Sequence, residues 1–66
     1  MLNNLLGEMA RAHISKKQIA QTLSISEKTL RNKINGLSPV YLEEALTIQS
    51  NFFPCLELNY LFERSN

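Results

Sequence analysis

The 66-residue chain has one cysteine, Cys55, so no disulfide can close within it, and a reducing, cytoplasmic setting is expected. Phe52, Phe53 and Leu56 around that cysteine predict a buried, unreactive thiol. No run approaches the roughly 18 apolar residues that span a bilayer. No basic region precedes an apolar stretch at the N-terminus, so no signal peptide is read there. A membrane-surface role is disfavoured too, because the cations do not line one face of a long amphipathic helix. His13 is the only histidine, and no metal-ligand pair stands at useful spacing. There is no glycine-rich phosphate loop, and the chain is too short to enclose a substrate or inducer pocket. Glu43 and Glu44 are adjacent on a helix and point about 100° apart, a poor catalytic dyad. They are expected as solvated residues near the positive end of the fourth helix. An enzyme, a metal and a cofactor are therefore not expected. Strand-like alternation never lasts more than a few residues, which leaves an all-α chain.

What the chain does contain is a phrase written three times: Ile14-Ser15, Ile25-Ser26 and Leu37-Ser38, each with an apolar residue five positions after its first member (Ile19, Leu30, Leu42). A serine in that place turns its hydroxyl onto the free N–H groups of a helix's first turn. The apolar residues on either side of the cap clasp each other as a hydrophobic staple. Gln18 completes a capping box with Ser15, and Pro39 suits the first helical position after Ser38. The pattern predicts five helices in one domain spanning 1–66: about Leu2 to His13, Lys16 to Leu23, Glu27 to Asn35, Pro39 to Gln49, and a short one from Leu56 to Phe62. Leu2, Leu5, Leu6, Met9 and His13 share a face of the first. Ile19, Ala20 and Leu23 face inward on the second, Leu30 and Ile34 on the third, and Leu42, Ala45, Leu46 and Ile48 on the fourth. Asn3 or Asn4 is expected to cap the first helix, Gly36 to end the third, and Asn51 to Pro54 to break the pattern before the last.

Net charge is only +1, but it is sorted. Between Ser15 and Gly36 stand five cations (Lys16, Lys17, Lys28, Arg31, Lys33) against Glu27 alone, whereas the remainder carries two cations against five glutamates. A polyanion feels such a local patch rather than the total. Two short helices joined by a tight turn at about 15–36 form a helix-turn-helix pattern, in which the second helix enters the major groove while the first crosses the backbone. With Leu30 and Ile34 inward, the outer face of that second helix is centred on Lys28 and Asn32 and flanked by Arg31, Asn35 and Thr29. Lysine and arginine donate to guanine, and asparagine pairs with adenine. Lys16 and Lys17 sit against the positive end of a helix dipole, a local cost that a phosphate docked on the free N–H groups turns into attraction.

The stretch from Ile14 to Gly36 (ISKKQIAQTLSISEKTLRNKING) resembles the Xre family, the Cro- and C1-type repressors of bacteriophages and mobile elements. The later stretch from Phe52-Phe53-Pro54 to Tyr60-Leu61-Phe62 looks like the ending of small Cro-like phage proteins. The resemblance implies a compact five-helix lambda-repressor-like domain that binds operator DNA, usually as a two-fold homodimer. By position it places base-reading roles on Glu27, Lys28 and Asn32 and backbone contacts on Lys16, Ser26 and Asn35, with Arg31 able to serve either purpose. Ser24 stands where that family prefers glycine in the turn, and Lys33 where it usually has an apolar residue. Lys33 is expected to bury its stem and lift its ammonium to the surface.

The expected function is thus a cytoplasmic transcriptional regulator that occupies double-stranded DNA. Two other readings stand beside it: an antitoxin with the same domain, and a helical protein–protein adaptor that ignores DNA. Tyr60, Leu61 and Phe62 could serve either. Leu61 is assigned to the core and Phe62 to a dimer contact.

Overall fold

The computed structural model describes residues 1–64. Among them the backbone forms five helices and no strand: α1 (Asn3–Ala12), α2 (Lys16–Leu23), α3 (Glu27–Ile34), α4 (Leu42–Phe52) and α5 (Leu58–Leu61). Two of the three serine caps form as the sequence predicts. Ser15 Oγ accepts from the Gln18 N–H at 3.2 Å while Gln18 Oε1 accepts from the Ser15 N–H at 2.7 Å, so the capping box is closed. Ser26 Oγ accepts from the Thr29 N–H at 3.1 Å.

The repeated phrase turns out to belong to the helix ends as much as to the starts. His13, Ser24 and Gly36 all take left-handed backbone, with φ of 58°, 59° and 86°. In each case the next residue donates its N–H five positions back: Ile14 to Met9 O (2.9 Å), Ile25 to Ala20 O (3.0 Å) and Leu37 to Asn32 O (2.8 Å). That is the Schellman closure of a helix. A left-handed residue, an apolar residue and a serine therefore make a complete three-residue joint, which stops one helix and starts the next. Ile14 and Ile25 pack half-buried against the core that holds Ile19 and Leu30.

The third copy departs from the expected pattern. Leu37 is 77% exposed and Leu42 66% exposed, and the fourth helix begins at Leu42 rather than at Pro39. Lys33 explains the delay. Its ammonium donates to the Pro39 carbonyl at 2.9 Å and to Glu44 Oε1 at 3.0 Å, and the same carboxylate oxygen accepts the Tyr41 N–H at 3.0 Å. With the Pro39 carbonyl bonded to a side chain, residues 39–41 stay outside the helix and Val40 packs on the core. Lys33 is thus buried to its tip, not merely along its stem, and Glu44 is half-buried and paired rather than solvated.

Further differences have local causes. Asn3 and Asn4 do not cap α1, whose cap residue is Leu2; the Asn4 amide donates instead to the Tyr60 carbonyl at 2.9 Å. His13 ends α1 in the exposed left-handed position and does not join the apolar face. On α4 the buried residues are Ala45 and Ile48, while Leu46 is 43% exposed, and the helix runs on to Phe52. Cys55 is exposed, because Pro54 and Cys55 form a turn closed by the Leu56 N–H to Phe53 O bond at 3.1 Å, and it is Phe53 that faces inward. The last helix is four residues long, since the Gln49 amide takes the Leu56 carbonyl at 3.0 Å.

α2 packs on both α3 and α4, and α5 joins α4 to α1. Ile19 and Leu61 are completely buried at the centre, with Leu2, Leu5, Leu30, Ile34 and Ile48 around them. Each such side chain is worth about 1.5–3 kcal/mol in burial. Leu61 thus belongs to the core as expected. Phe62 also packs against it and is half-buried. The phenol of Tyr60 donates to Glu8 Oε2 at 2.8 Å, tying α5 to α1, and that bond holds the phenol above its usual pKa.

Candidate nucleic-acid interface

α3 is fixed along one side and free along the other. Leu30, Lys33 and Ile34 are buried, while Glu27, Lys28, Arg31 and Asn35 are exposed, and Thr29 and Asn32 are half-buried. At about 100° per residue the exposed arc runs from Glu27 through Arg31, Asn35 and Lys28 to Asn32. Its centre lies between Arg31 and Lys28, so Asn32 marks an edge of the face rather than its middle. The shift follows from Lys33, which rotates the buried stripe by turning inward. No carboxylate of the described residues lies within ion-pair distance of Lys28 or Arg31. The side-chain amides of Asn32 and Asn35 have no hydrogen-bond partner among them either. Every polar group on this face is free to bond outward.

The C-terminal end of α3 is held unusually well. The Asn35 N–H donates to Arg31 O at 2.9 Å, those of Leu37 and Ser38 to Asn32 O, and that of Gly36 to Lys33 O at 3.3 Å. The remaining carbonyl, that of Ile34, accepts the Leu2 N–H at 3.1 Å. All four carbonyls that a helix leaves open at this end are satisfied. Lys33 adds a strut from the inner side, with Nζ bonded to Glu44 and lying 4.9 Å from the Tyr41 ring centroid. Burial pulls the Glu44 carboxyl upward, but the Tyr41 N–H, the Lys33 hydrogen bond and the Lys33 charge together bring it below its ordinary value. Buried against Glu44 in this way, the Lys33 side chain is turned away from the exposed face of α3.

At the start of α2 the capping box engages the N–H groups of Ser15 and Gln18 and leaves those of Lys16 and Lys17 without a partner. Lys17 is exposed, Lys16 is half-exposed, and neither has a carboxylate within reach among the described residues. Two open N–H groups and two ammoniums at a helix N-terminus suit an oxyanion. The Ser26 hydroxyl is engaged at the start of its own helix. It accepts from the Thr29 N–H and donates to Thr29 Oγ1 at 2.9 Å, so the proton a phosphate would need is already used.

One cation arrives from outside the motif. Arg64 lies against the end of α3, with Nη2 at 3.5 Å from the Lys33 carbonyl and Nη1 at 3.5 Å from where a Cβ on Gly36 would stand. No sequence spacing points to it; only the fold brings it there. Among the described residues no helix is long and apolar enough to cross a membrane, and no group of three His, Cys, Asp or Glu side chains could hold a metal ion. Compared with family models, with curated proteins and with solved structures, the chain finds no match, so any functional reading rests on the chain's own residues and geometry.

Proposed function

We propose that the chain is a sequence-specific DNA-binding regulator with a lambda-repressor-like helix-turn-helix, acting by occupying an operator. One observation carries the reading: the outward face of α3 presents Lys28, Arg31, Asn32 and Asn35 without internal partners, on a helix whose other side and far end are firmly held. A helix about 12 Å long with its reading side uncommitted has the size and chemistry to enter the major groove. Lys28 and Arg31 donate to guanine, Asn32 pairs with adenine, and Glu27 accepts from a cytosine amino group. Lys16 and Lys17 with their open N–H groups take a backbone phosphate, as does Asn35 through its amide; Ser26 adds its backbone rather than its hydroxyl. As a homodimer the protein would meet half-sites roughly 34 Å apart. It would act in the cytoplasm by excluding polymerase or another regulator from the same DNA.

A second reading draws on the exposed apolar side chains Leu37, Tyr41, Leu42 and Leu46. These suit a protein contact, as in an antitoxin that binds DNA and a toxin, or in an adaptor that binds protein alone. A salt titration of duplex binding separates the adaptor from the two DNA-binding readings. Contacts to several phosphates predict an affinity that falls on the order of a hundredfold or more between about 50 and 200 mM salt. An adaptor held by apolar contacts would show no such duplex binding.

A further inference from the structure

The cations of the chain are distributed unevenly, and the fold redistributes them. Between Lys33 and Arg64 lie thirty residues without a lysine or arginine. The junction from α3 to α4 is therefore neutral or acidic in sequence, and Lys33, the last cation of the motif, is spent on Glu44. Arg64 fills that gap from the far end of the chain. Its guanidinium stands over the last turn of α3, beside an open cleft of about 500 Å³ lined by Gly36, Leu37, Ser38, Pro39, Val40 and Arg64. Its one bond among the described residues is the long contact to Lys33 O, and no carboxylate of those residues pairs with it. A guanidinium carries five N–H donors in a planar fork. Most of them have no partner among the described residues. The Ser38 hydroxyl in the same cleft has no partner among the described residues either.

We propose that Arg64 is a backbone-contacting residue, which takes a phosphate oxyanion in the cleft at the α3–α4 junction, with the Ser38 hydroxyl as a second donor. The inference rests on the DNA reading given above and deepens it, because the cleft adjoins Asn35 at the end of the reading helix. It also restores the electrostatics of that face. The charge withdrawn when Lys33 pairs with Glu44 is returned by Arg64, at the C-terminal end of α3. The phosphate belongs to a duplex backbone, since the cleft adjoins the exposed face of α3 and a second oxyanion site stands at the start of α2, and more than one such contact is what a repeating polyanion offers. A purely structural role has a different signature: a guanidinium on the carbonyl end of a helix stabilises the dipole and changes only the melting temperature.

The test compares wild type, Arg64→Gln and Arg64→Lys in fluorescence-anisotropy titrations on a mixed-sequence duplex, from about 50 to 200 mM salt, with helicity and melting followed for each. One lost phosphate contact predicts a slope of log K against log salt shallower by about 0.9 in Arg64→Gln, so that the loss across this range shrinks about 3.5-fold. Arg64→Lys should restore most of the slope. Adding inorganic phosphate at constant ionic strength should leave wild-type binding nearly unchanged; a strong competition would assign the cleft to free phosphate and overturn the backbone assignment. A steep wild-type slope that Arg64→Gln leaves intact, with or without a lower melting temperature, overturns the inference alone. A wild-type slope near zero overturns the DNA reading and the inference with it.

Discussion

Replacing Ser24 with glycine should make the protein more stable. Ser24 ends α2 at φ 59° and ψ 40°, in left-handed backbone. There the Cβ of an L-residue crowds the following carbonyl at a cost of roughly 1–2 kcal/mol. The residue is held in place by its neighbours, since its own N–H reaches Gln21 O at 3.2 Å and the Ile25 N–H reaches Ala20 O at 3.0 Å. Its side chain is exposed and makes no hydrogen bond among the described residues, so nothing is lost with the hydroxyl. Glycine removes the crowding but enlarges the conformational freedom of the unfolded chain, which returns about 0.4–1 kcal/mol. Near the middle of both ranges the net gain is about 0.5–1 kcal/mol. For a domain of this size that corresponds to a rise of about 2–8 °C in melting temperature. Circular dichroism at 222 nm during thermal unfolding, at one protein concentration, reads it directly. His13→Gly, at the same φ in the preceding joint, should add its own similar increment, because the two sites share no hydrogen bond. An unchanged or lowered melting temperature for Ser24→Gly would mean that the joint is not built around a left-handed residue.

Gly36→Ala, at φ 86°, should lower the melting temperature by a comparable amount, and Gly7→Ala, in mid-helix with open space at its Cβ position, should raise it by about 0.5–1 kcal/mol equivalent. Lys33→Ala should cost about 1–3 kcal/mol in chemical denaturation, because it leaves the half-buried Glu44 carboxylate without its ammonium partner. The folded pKa of Glu44 lies below its ordinary value, so the pair contributes fully above the ordinary carboxylate range and is lost as pH falls through the lowered value. Stability should decline over that acidic interval in wild type and less steeply in Glu44→Gln; parallel curves would remove Glu44 from the account. Lys28→Ala and Asn32→Ala should each relax preference by about 1–3 kcal/mol at a single base pair, as measured with a set of single-substitution duplexes. Lys16→Ala should weaken all duplexes alike, and a loss confined to one sequence would contradict its backbone assignment.

The left-handed stop at His13 was not legible, since its residue fits the helical spacing of α1 as well as it fits an end. The serine caps that open α2 and α3 were legible because everything that makes them is local: Ser15 with Gln18 and Ser26 with Thr29 find their partners within three residues. The start of α4 was not legible for the opposite reason. Leu37-Ser38-Pro39 carries the same local instruction, but Lys33 and Glu44, eleven positions apart, hold the Pro39 carbonyl outside the helix. An ammonium at an inward position reads as a snorkelling side chain until its carboxylate partner is located, and only packing locates it. Leu42 and Leu46 fit a helical face by spacing yet remain exposed, since periodicity names a stripe without saying what covers it. Cys55 shows the same limit, because apolar neighbours in a turn need not share its side. On the interface, Lys28 and Arg31 stand where the periodicity puts them. Ser26 does not keep its hydroxyl free, and Arg64 had no signal in sequence because it reaches α3 only through the closure of the fold.

The central claim is that the uncommitted face of α3 reads duplex DNA. Selection of duplexes from a random pool, run in parallel with wild type and Lys28→Ala and followed by sequencing, tests it most directly. The account predicts a two-fold symmetric consensus with half-sites about one helical turn apart, in which Lys28→Ala degrades one position per half-site. A pool that stays random under wild type, or a consensus that Lys28→Ala leaves unchanged, would contradict it.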